Sequence, residues 1–278
     1  KLVSRKETLL GSEIDIYIGL IGGVGDLVLA TPSVAVLRKN HPEAIICFGV
    51  GDSPFYSTIV HDPNIDRFDT PLYYNVWNQR ERKAIFQEKI KSFDWVLLLD
   101  NPDREWWKQG KHLIDIYSEK CGMKRGNRRS VIYLDPNDDK EAKKLLMSNG
   151  IKNQSKYIVL APETRSKKEI KEWPYANFIG LIRKISENHD IKIATLTSPE
   201  NEELFPGTIR IRTPNIRVAA SIIKLANLYI RVDNGLTHIA GAFNGPIVSL
   251  HKGFPRECCG VLSPRAAVIS HEPFCRPS

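Results

Sequence analysis

An aspartate near the start of the chain lies in a glycine-rich turn, in the stretch IGGVGDLVLATP that begins at residue 21. An apolar strand pattern precedes Asp26 and a helix pattern follows it, so backbone N–H groups and the positive helix end favour its ionised form. Gly22, Gly23 and Gly25 carry no side chains, which lets a bulky substrate approach the backbone. Asp26 could act there as a general base towards a hydroxyl group, or it could simply cap the helix.

The same glycines also suggest a dinucleotide-binding turn, which has the pattern G-x-G-x-x-G and an acidic residue after the next strand. Gly23 and Gly25 supply the first two glycines, but Val28 occupies the third position, and Asp52 would be the acidic residue. A dinucleotide-dependent oxidoreductase is therefore a second hypothesis, which rests on a partial match.

Two stretches in the second half of the chain could hold an anion. Lys171 precedes a Trp-Pro helix start and could neutralise a phosphate, although an exposed surface lysine would have the same pattern. Further on, a predicted strand ends at Asp233, and a glycine turn leads into a helix whose first turn contains Thr237 and His238. Because the N–H groups at a helix N-terminus lack partners within the helix, such a turn is a ready anion site.

Short apolar runs alternate with helical patterns along the chain, which is typical of parallel sheets covered by helices on both faces. The predicted strands are residues 14–20, 44–50, 95–100, 131–134, 157–161, 191–196, 228–233 and 247–250. The predicted helices are residues 32–40, 138–149, 174–187, 216–226 and 236–243. A helix end at Gly150 and the polar stretch after it divide the chain into domains 1–152 and 153–278, each expected to be a doubly wound α/β unit.

The composition is that of a soluble globular protein. The 278 residues are 42% hydrophobic and 26% charged, and no apolar run approaches the roughly 18–20 residues of a transmembrane helix. The polar residues 1–12 do not form a signal peptide, and five cysteines without framework spacing fit a reducing compartment, so we expect a cytoplasmic protein. The net charge of +8 favours anionic partners, but no nucleic-acid-binding signature accompanies it, so nucleic acid is not expected.

The cysteines do not form a recognisable metal motif. Cys258 and Cys259 are adjacent, and Cys275 follows them, with His251 and His271 nearby in the sequence. This is not the C-x-x-C spacing of a structural zinc site, so thiols without a metal are the preferred interpretation. We predict neither a metal nor a cofactor.

In their order along the chain, these stretches resemble glycosyltransferase family nine, the heptosyltransferase family. The first half carries the strand, the glycine-rich GD turn and the TP helix ending at P-x-A, here GGVGDLVLATPSVAVLRKNHPEA. The second half carries K-x-W-P as KEWP and D-[ST]-G-x-x-H-x-A as DNGLTHIA, with Asn234 in place of serine or threonine. A G-x-P-x-V-x-L strand follows, and the resemblance extends over roughly residues 14–250.

The resemblance implies a GT-B architecture, in which two Rossmann-like domains with parallel sheets face each other across a cleft. The N-terminal domain would bind the acceptor and the C-terminal domain the nucleotide-sugar. The implied activity is inverting, metal-independent transfer of a sugar, typically heptose from ADP-heptose, to a hydroxyl of a glycan or glycolipid such as the lipopolysaccharide inner core. Asp26 matches the family's base, and the positions that match its donor-binding residues are Lys171, Asp233, Asn234, Gly235, Thr237 and His238, with Glu202 expected at the nucleotide ribose.

The resemblance also implies where such a protein would work. An acidic, phosphorylated lipid acceptor and a basic protein surface suggest peripheral contact with the anionic inner face of the membrane. A non-catalytic nucleotide-sugar binding module is a third hypothesis, which applies if closure of the cleft needs the C-terminal helical segment with which the family usually continues beyond the end of this sequence.

Overall fold

The computed structural model describes residues 14–51, 53–69, 80–100, 106–123, 128–164, 168–198 and 205–270. The chain divides into two compact units, Lys1–Tyr133 and Leu134–Ser278, here called unit 1 and unit 2. Among the residues that the structure describes, each unit contains one parallel sheet. None of the helices in the described ranges has the length and apolar character needed to span a membrane.

Unit 1 has a four-stranded sheet. Its strands are β1 (Asp15–Leu20), β2 (Ile45–Val50), β3 (Arg67–Asp69) and β4 (Trp95–Leu98), and its helices are α1 (Val24–Asn40), α2 (Ser53–Tyr56), α3 (Arg80–Lys89) and α4 (Leu113–Lys120). The strand order is β3-β2-β1-β4, so β1 lies where the order of the sheet reverses. Open α/β sheets bind ligands at the carboxyl end of the strands at such a reversal, and the turn with Asp26 leaves β1 there.

Unit 2 has a six-stranded sheet. Its elements are α5 (Pro136–Ser148), β5 (Tyr157–Ala161), α6 (Lys168–Lys171), α7 (Tyr175–Asn188), β6 (Lys192–Leu196), β7 (Ile209–Ile211), α8 (Ile216–Leu225), β8 (Leu228–Val232), α9 (Gly235–Ala242), β9 (Ile247–His251), α10 (Arg256–Cys259) and β10 (Ala266–Ser270). The strand order is β10-β9-β8-β5-β6-β7, with the reversal between β5 and β8. The turn that contains Asp233 leaves β8 at this reversal.

Helix α5 packs against α8 and belongs to unit 2. Ala142 and Leu146 are buried in the apolar cluster of that unit, and the Ser221 hydroxyl of α8 donates to Asp139 of α5 (2.5 Å). The division between the compact units therefore falls at residues 133/134, whereas the sequence analysis places the domain boundary after residue 152.

Two elements differ from the sequence-based expectation. Helix α1 begins at Val24 rather than at residue 32, and Pro32 lies inside it. Proline has no N–H to donate to the carbonyl of Val28, and the Thr31 hydroxyl donates to that carbonyl instead (2.8 Å). Residues 131–134 do not form a strand, and the Val131 N–H donates to the Thr31 hydroxyl oxygen (3.1 Å).

The short strands β3, β7 and β10 were not predicted. Strands β3 and β7 have only three residues each. Each of β3, β7 and β10 is an edge strand of its sheet, where a weaker apolar pattern is sufficient.

Candidate active site

The Asp26 carboxylate is held from two sides in unit 1. It is the third residue of α1, and its Oδ2 accepts the N–H of Gly23 (2.9 Å) at the N-cap. Its Oδ1 accepts the hydroxyl of Tyr117 (2.9 Å) from α4. Asp26 does cap its helix, as the simpler interpretation held. The side chain nevertheless stays half-buried, so capping does not exclude a role as a base.

Gly22 makes room for Asp26 itself. A Cβ at Gly22 would lie 2.6 Å from Asp26 Cβ and 2.8 Å from its Cγ, which is closer than real Cβ contacts come. At Gly23 the nearest atom would be Asp26 Oδ2 at 3.8 Å, an ordinary contact. Gly25 follows in the first turn of α1 and is half-buried. At Gly22, the space that the sequence analysis assigns to the substrate is therefore occupied by the carboxylate.

Tyr117 is a site residue that the sequence analysis missed. It is 2% exposed, and burial raises its pKa well above the usual range, as do the charge of Asp26 and the hydrogen bond to it. The hydroxyl therefore keeps its proton and remains a donor to the carboxylate. Tyr117 lies 91 residues from Asp26 in the sequence, and nothing in its own neighbourhood indicates this contact.

A second carboxylate, Asp100, follows β4 beside the same turn. Its Oδ1 accepts the N–H of Ile21, which fixes the start of the glycine loop. The Lys120 ammonium donates to the carbonyls of Leu99 (3.1 Å) and Asp100. Burial lowers the pKa of Lys120, although Asp100 opposes the effect. Asp100 could have been predicted as a site residue, because ligands bind at the carboxyl ends of the strands in such sheets and Asp100 ends a predicted strand.

In unit 2, Asn234 fixes the turn between β8 and α9. Its Oδ1 accepts the N–H of Leu236 (2.9 Å) as the N-cap, and its Nδ2 donates to the carbonyl of Glu163 (2.6 Å). Asn234 therefore performs the capping role of the serine or threonine usual in the motif and also ties α9 to the loop after β5. The Arg231 guanidinium donates to the same Glu163 carbonyl (2.7 Å).

The first turn of α9 is buried. The Thr237 hydroxyl donates to the carbonyl of Val232 (3.1 Å), which directs it back to the strand. Thr237 and His238 are 2% and 7% exposed. His238 contributes to lowering the pKa of Asp233, so the two side chains are close enough to interact. Gly235 is the first residue of the helix.

Asp233 lies between the ammonium of Lys171 and the imidazole of His251. The ammonium of Lys171 is 3.0 Å from its Oδ2, and Nε2 of His251, at the end of β9, is 3.4 Å from its Oδ1. Burial by itself would raise the pKa of Asp233, but His251, Lys171 and His238 lower it below the usual range. Lys171 is thus not a surface lysine: its side chain is 14% exposed, and its ammonium also lies 5.1 Å from the centre of the Phe254 ring.

His251 joins this site without having been predicted there. Burial would lower the pKa of His251, but the Asp233 carboxylate and the carbonyl of Phe254 raise it. Cys259 lies beside this pair, so that Asp233, His251 and Cys259 each place one ligand atom within 4.8 Å of the others. The sequence analysis predicts no metal, whereas these three side chains could hold one; Cys258 is buried but lies outside the group.

The predicted residues are brought together within each unit. Gly22, Gly23, Gly25 and Asp26 form one turn in unit 1. In unit 2, the residues Lys171, Asp233, Asn234, Gly235, Thr237 and His238 lie around the start of α9. Glu202, and likewise Asp52, His271 and Cys275, lie outside the described residues.

Comparison with known proteins identifies the family to which the chain belongs. The family model described as glycosyltransferase family 9 (heptosyltransferase) matches residues 111–278, more than half of the chain. The chain belongs to glycosyltransferase family 9. No curated protein sequence matches it.

Three solved structures show the same fold. A family 9 glycosyltransferase from Veillonella parvula is 18% identical with a TM-score of 0.76, over 95% of this chain and 89% of that one. The ADP-heptose lipopolysaccharide heptosyltransferase II of E. coli is 16% identical with a TM-score of 0.67, over 92% of this chain and 90% of that one. The E. coli heptosyltransferase WaaC, solved with ADP, is 14% identical with a TM-score of 0.67, over 92% and 93%.

Family 9 membership confirms two predictions. The protein is a glycosyltransferase, and its two Rossmann-like parallel sheets are those of the GT-B heptosyltransferase structures. The competing oxidoreductase hypothesis gains no support, because the family model that matches the chain is that of a transferase family.

Proposed function

We propose that this family 9 glycosyltransferase is an inverting, metal-independent heptosyltransferase that uses ADP-heptose. The observation that carries the proposal is the Asp26 carboxylate, fixed by the Gly23 N–H and the Tyr117 hydroxyl at the carboxyl end of β1. These two hydrogen bonds orient the carboxylate, and a carboxylate in its ionised form can act as a general base. Asp26 would accept the proton of the acceptor hydroxyl as its oxygen attacks the anomeric carbon from the face opposite the leaving group.

The donor half of the proposal rests on Lys171 and the start of α9. The leaving nucleoside diphosphate gains negative charge as the sugar bond breaks, and an ammonium and helix N–H groups can stabilise that charge without a divalent cation. Lys171 would share its charge between Asp233 and the diphosphate. ADP as the nucleotide is supported by the E. coli relatives, one described as using ADP-heptose and another solved with ADP.

The acceptor proposed is a hydroxyl of a glycan or glycolipid such as the lipopolysaccharide inner core. The net charge of +8 supports an acidic, phosphorylated acceptor. The same charge supports peripheral association with the anionic inner face of the membrane, on the cytoplasmic side where we propose that the protein works.

Calorimetric titration with ADP, UDP, GDP and NADH, without added metal, tests the donor assignment. We expect selective binding of ADP that is weakened in Lys171→Ala, because a diphosphate loses its cation. Lys168→Ala is the matched control, since Lys168 is exposed on the same helix and should bind ADP as the wild type does. A preference for UDP or GDP would mean that the donor is a UDP-sugar or a GDP-sugar rather than ADP-heptose. Binding of NADH alone would overturn the transferase proposal.

Asp26→Asn tests the chemical step. The amide keeps an oxygen acceptor for the helix cap but cannot take a proton, so we expect transfer to be nearly abolished while ADP affinity stays unchanged. Unchanged turnover would remove Asp26 from the mechanism. If ADP-sugars bind but the wild type transfers nothing to any acceptor, the protein is a non-catalytic nucleotide-sugar binding module.

A further inference from the structure

Asp233, His251 and Cys259 form a buried cluster, of which the proposed transfer uses only Asp233, through its contact with Lys171. They come from the ends of β8, β9 and α10 and are 4%, 3% and 7% exposed. Their ligand atoms lie within 4.8 Å of one another. An imidazole nitrogen, a carboxylate oxygen and a sulfur are the three ligand types that zinc binds in proteins.

The ring of His251 is oriented as a metal ligand would be. Its Nδ1 lies 3.0 Å from the carbonyl of Phe254, so Nδ1 carries the proton that this hydrogen bond requires. Nε2 then faces the cluster. Metal-binding histidines typically donate the other ring N–H to a carbonyl or carboxylate in this way, which fixes the tautomer.

Nε2 of His251 and Oδ1 of Asp233 are separated by a distance that suits two ligands of one ion. They are 3.4 Å apart, whereas an N–H···O hydrogen bond is about 2.7–3.2 Å long. Among the described residues, this buried Nε2 has no hydrogen-bond partner. Zinc–nitrogen and zinc–oxygen bonds of about 2.0–2.2 Å at a tetrahedral angle place the two ligand atoms about 3.4 Å apart.

The charges around the cluster are compatible with a cation. Oδ2 of Asp233 faces the Lys171 ammonium (3.0 Å), while Oδ1 faces His251, so the carboxylate lies between the lysine and the position that an ion would occupy. A carboxylate that binds a metal through one oxygen is commonly held by a partner at the other. Binding would release the proton of the Cys259 thiol and any proton on Nε2.

We propose that Asp233, His251 and Cys259 bind a zinc ion, with water in the fourth position. The ion joins the ends of β8 and β9 to α10 and holds the Asp233 carboxylate in place. It takes no part in sugar transfer, so the proposal goes beyond the function proposed above.

Metal analysis of protein purified without a polyhistidine tag and without chelators tests the site. We expect about one zinc per chain, and after its removal about one equivalent of Co²⁺ with the thiolate-to-cobalt absorption band of a tetrahedral site. Cys259→Ser should lose the band and weaken metal binding by at least about tenfold. Cys258→Ser is the control, because Cys258 is the adjacent residue of α10, is buried to 1% exposure, and lies outside the cluster.

His251→Gln provides a second ligand deletion if Cys259→Ser does not fold, and circular dichroism checks each variant. The proposal is overturned if stripped wild-type protein binds no Co²⁺ through a thiolate, or if Cys259→Ser keeps the band. It is also overturned if Cys258→Ser loses the band while folded. These readouts are independent of ADP binding and transfer, so the zinc site and the transferase proposal can fail separately.

Discussion

Replacing Gly22 by alanine should displace the Asp26 carboxylate. The new Cβ would lie 2.6 Å from Asp26 Cβ and 2.8 Å from Cγ, so one of the two must move. Gly22 does not have the left-handed backbone conformation that would itself penalise alanine. The effect should therefore come from steric contact with Asp26. Gly23→Ala is the matched control, because its Cβ would come no closer than 3.8 Å to any atom.

The magnitude follows from the overlap. An ordinary contact begins near 3.4 Å, so the aspartate side chain has to shift by close to an ångström. Overpacking of this kind costs about 1–3 kcal/mol. If the Asp26 carboxylate moves out of its position to avoid this contact, and the whole energy appears in the activation barrier, transfer should slow by about 5- to 150-fold, at about 1.36 kcal/mol per factor of ten.

The assay compares single-turnover transfer, ADP titration and thermal unfolding for the two alanine variants. Gly22→Ala should lose rate, stability or both, while ADP affinity stays that of the wild type because the glycine belongs to unit 1. Gly23→Ala should match the wild type in transfer and in ADP affinity, and should unfold at a slightly lower temperature because alanine is a poorer N-cap residue than glycine. Equal behaviour of the two variants would refute the conclusion that Gly22 is required by Asp26.

Three further predictions concern single hydrogen bonds. Tyr117→Phe keeps the ring but removes a donor to Asp26, and should lower the free energy of unfolding by about 1 kcal/mol and slow transfer. Asn234→Ala removes the N-cap of α9, and should cost about 0.5–2 kcal/mol in urea unfolding and weaken ADP binding in calorimetry. Ser221→Ala should reduce stability at pH 6 but not near pH 2. Burial opposes ionisation of Asp139, but its hydrogen bonds to Ser221 and a lysine lower its pKa in the folded protein. The stabilisation that this gives is present above the pKa of the unfolded chain, about 3.9. It is lost as the pH falls through the lower pKa of the folded protein.

Each of these variants has a control in the same chain. Tyr157→Phe removes another buried tyrosine hydroxyl, which donates to a carbonyl in unit 2, and should reduce stability without slowing transfer. Asn215→Ala removes the N-cap of α8 and should leave ADP binding intact. Ser148→Ala removes an exposed hydroxyl from α5 and should show no dependence on pH. If a control behaves like its partner, the hydrogen bond in question has no specific role.

The local parts of the site could be predicted from the sequence, and the contacts between distant segments could not. A strand, a glycine turn and a helix within a few residues identify Asp26 and Asn234, because the geometry of such a turn is set locally. Tyr117 and His251 reach the site from other elements, and a single sequence does not contain the packing that brings them there. Local patterns can also mislead: Pro32 was expected to start helix α1, but it lies inside the helix, which begins at Val24.

Asp26 and Asp233 show why position alone does not identify a base. Both follow the carboxyl end of a parallel strand at the start of a helix, and the sequence places them in equivalent turns. The bonds that hold Asp26 come from an N–H and a hydroxyl, which orient the carboxylate and leave it half-buried. Asp233 is 4% exposed and lies between a lysine and a histidine, so its charge is used to hold cations. The proposal of proton transfer for Asp26 therefore rests on the partners of its carboxylate, and the same reasoning supports a binding role for Asp233.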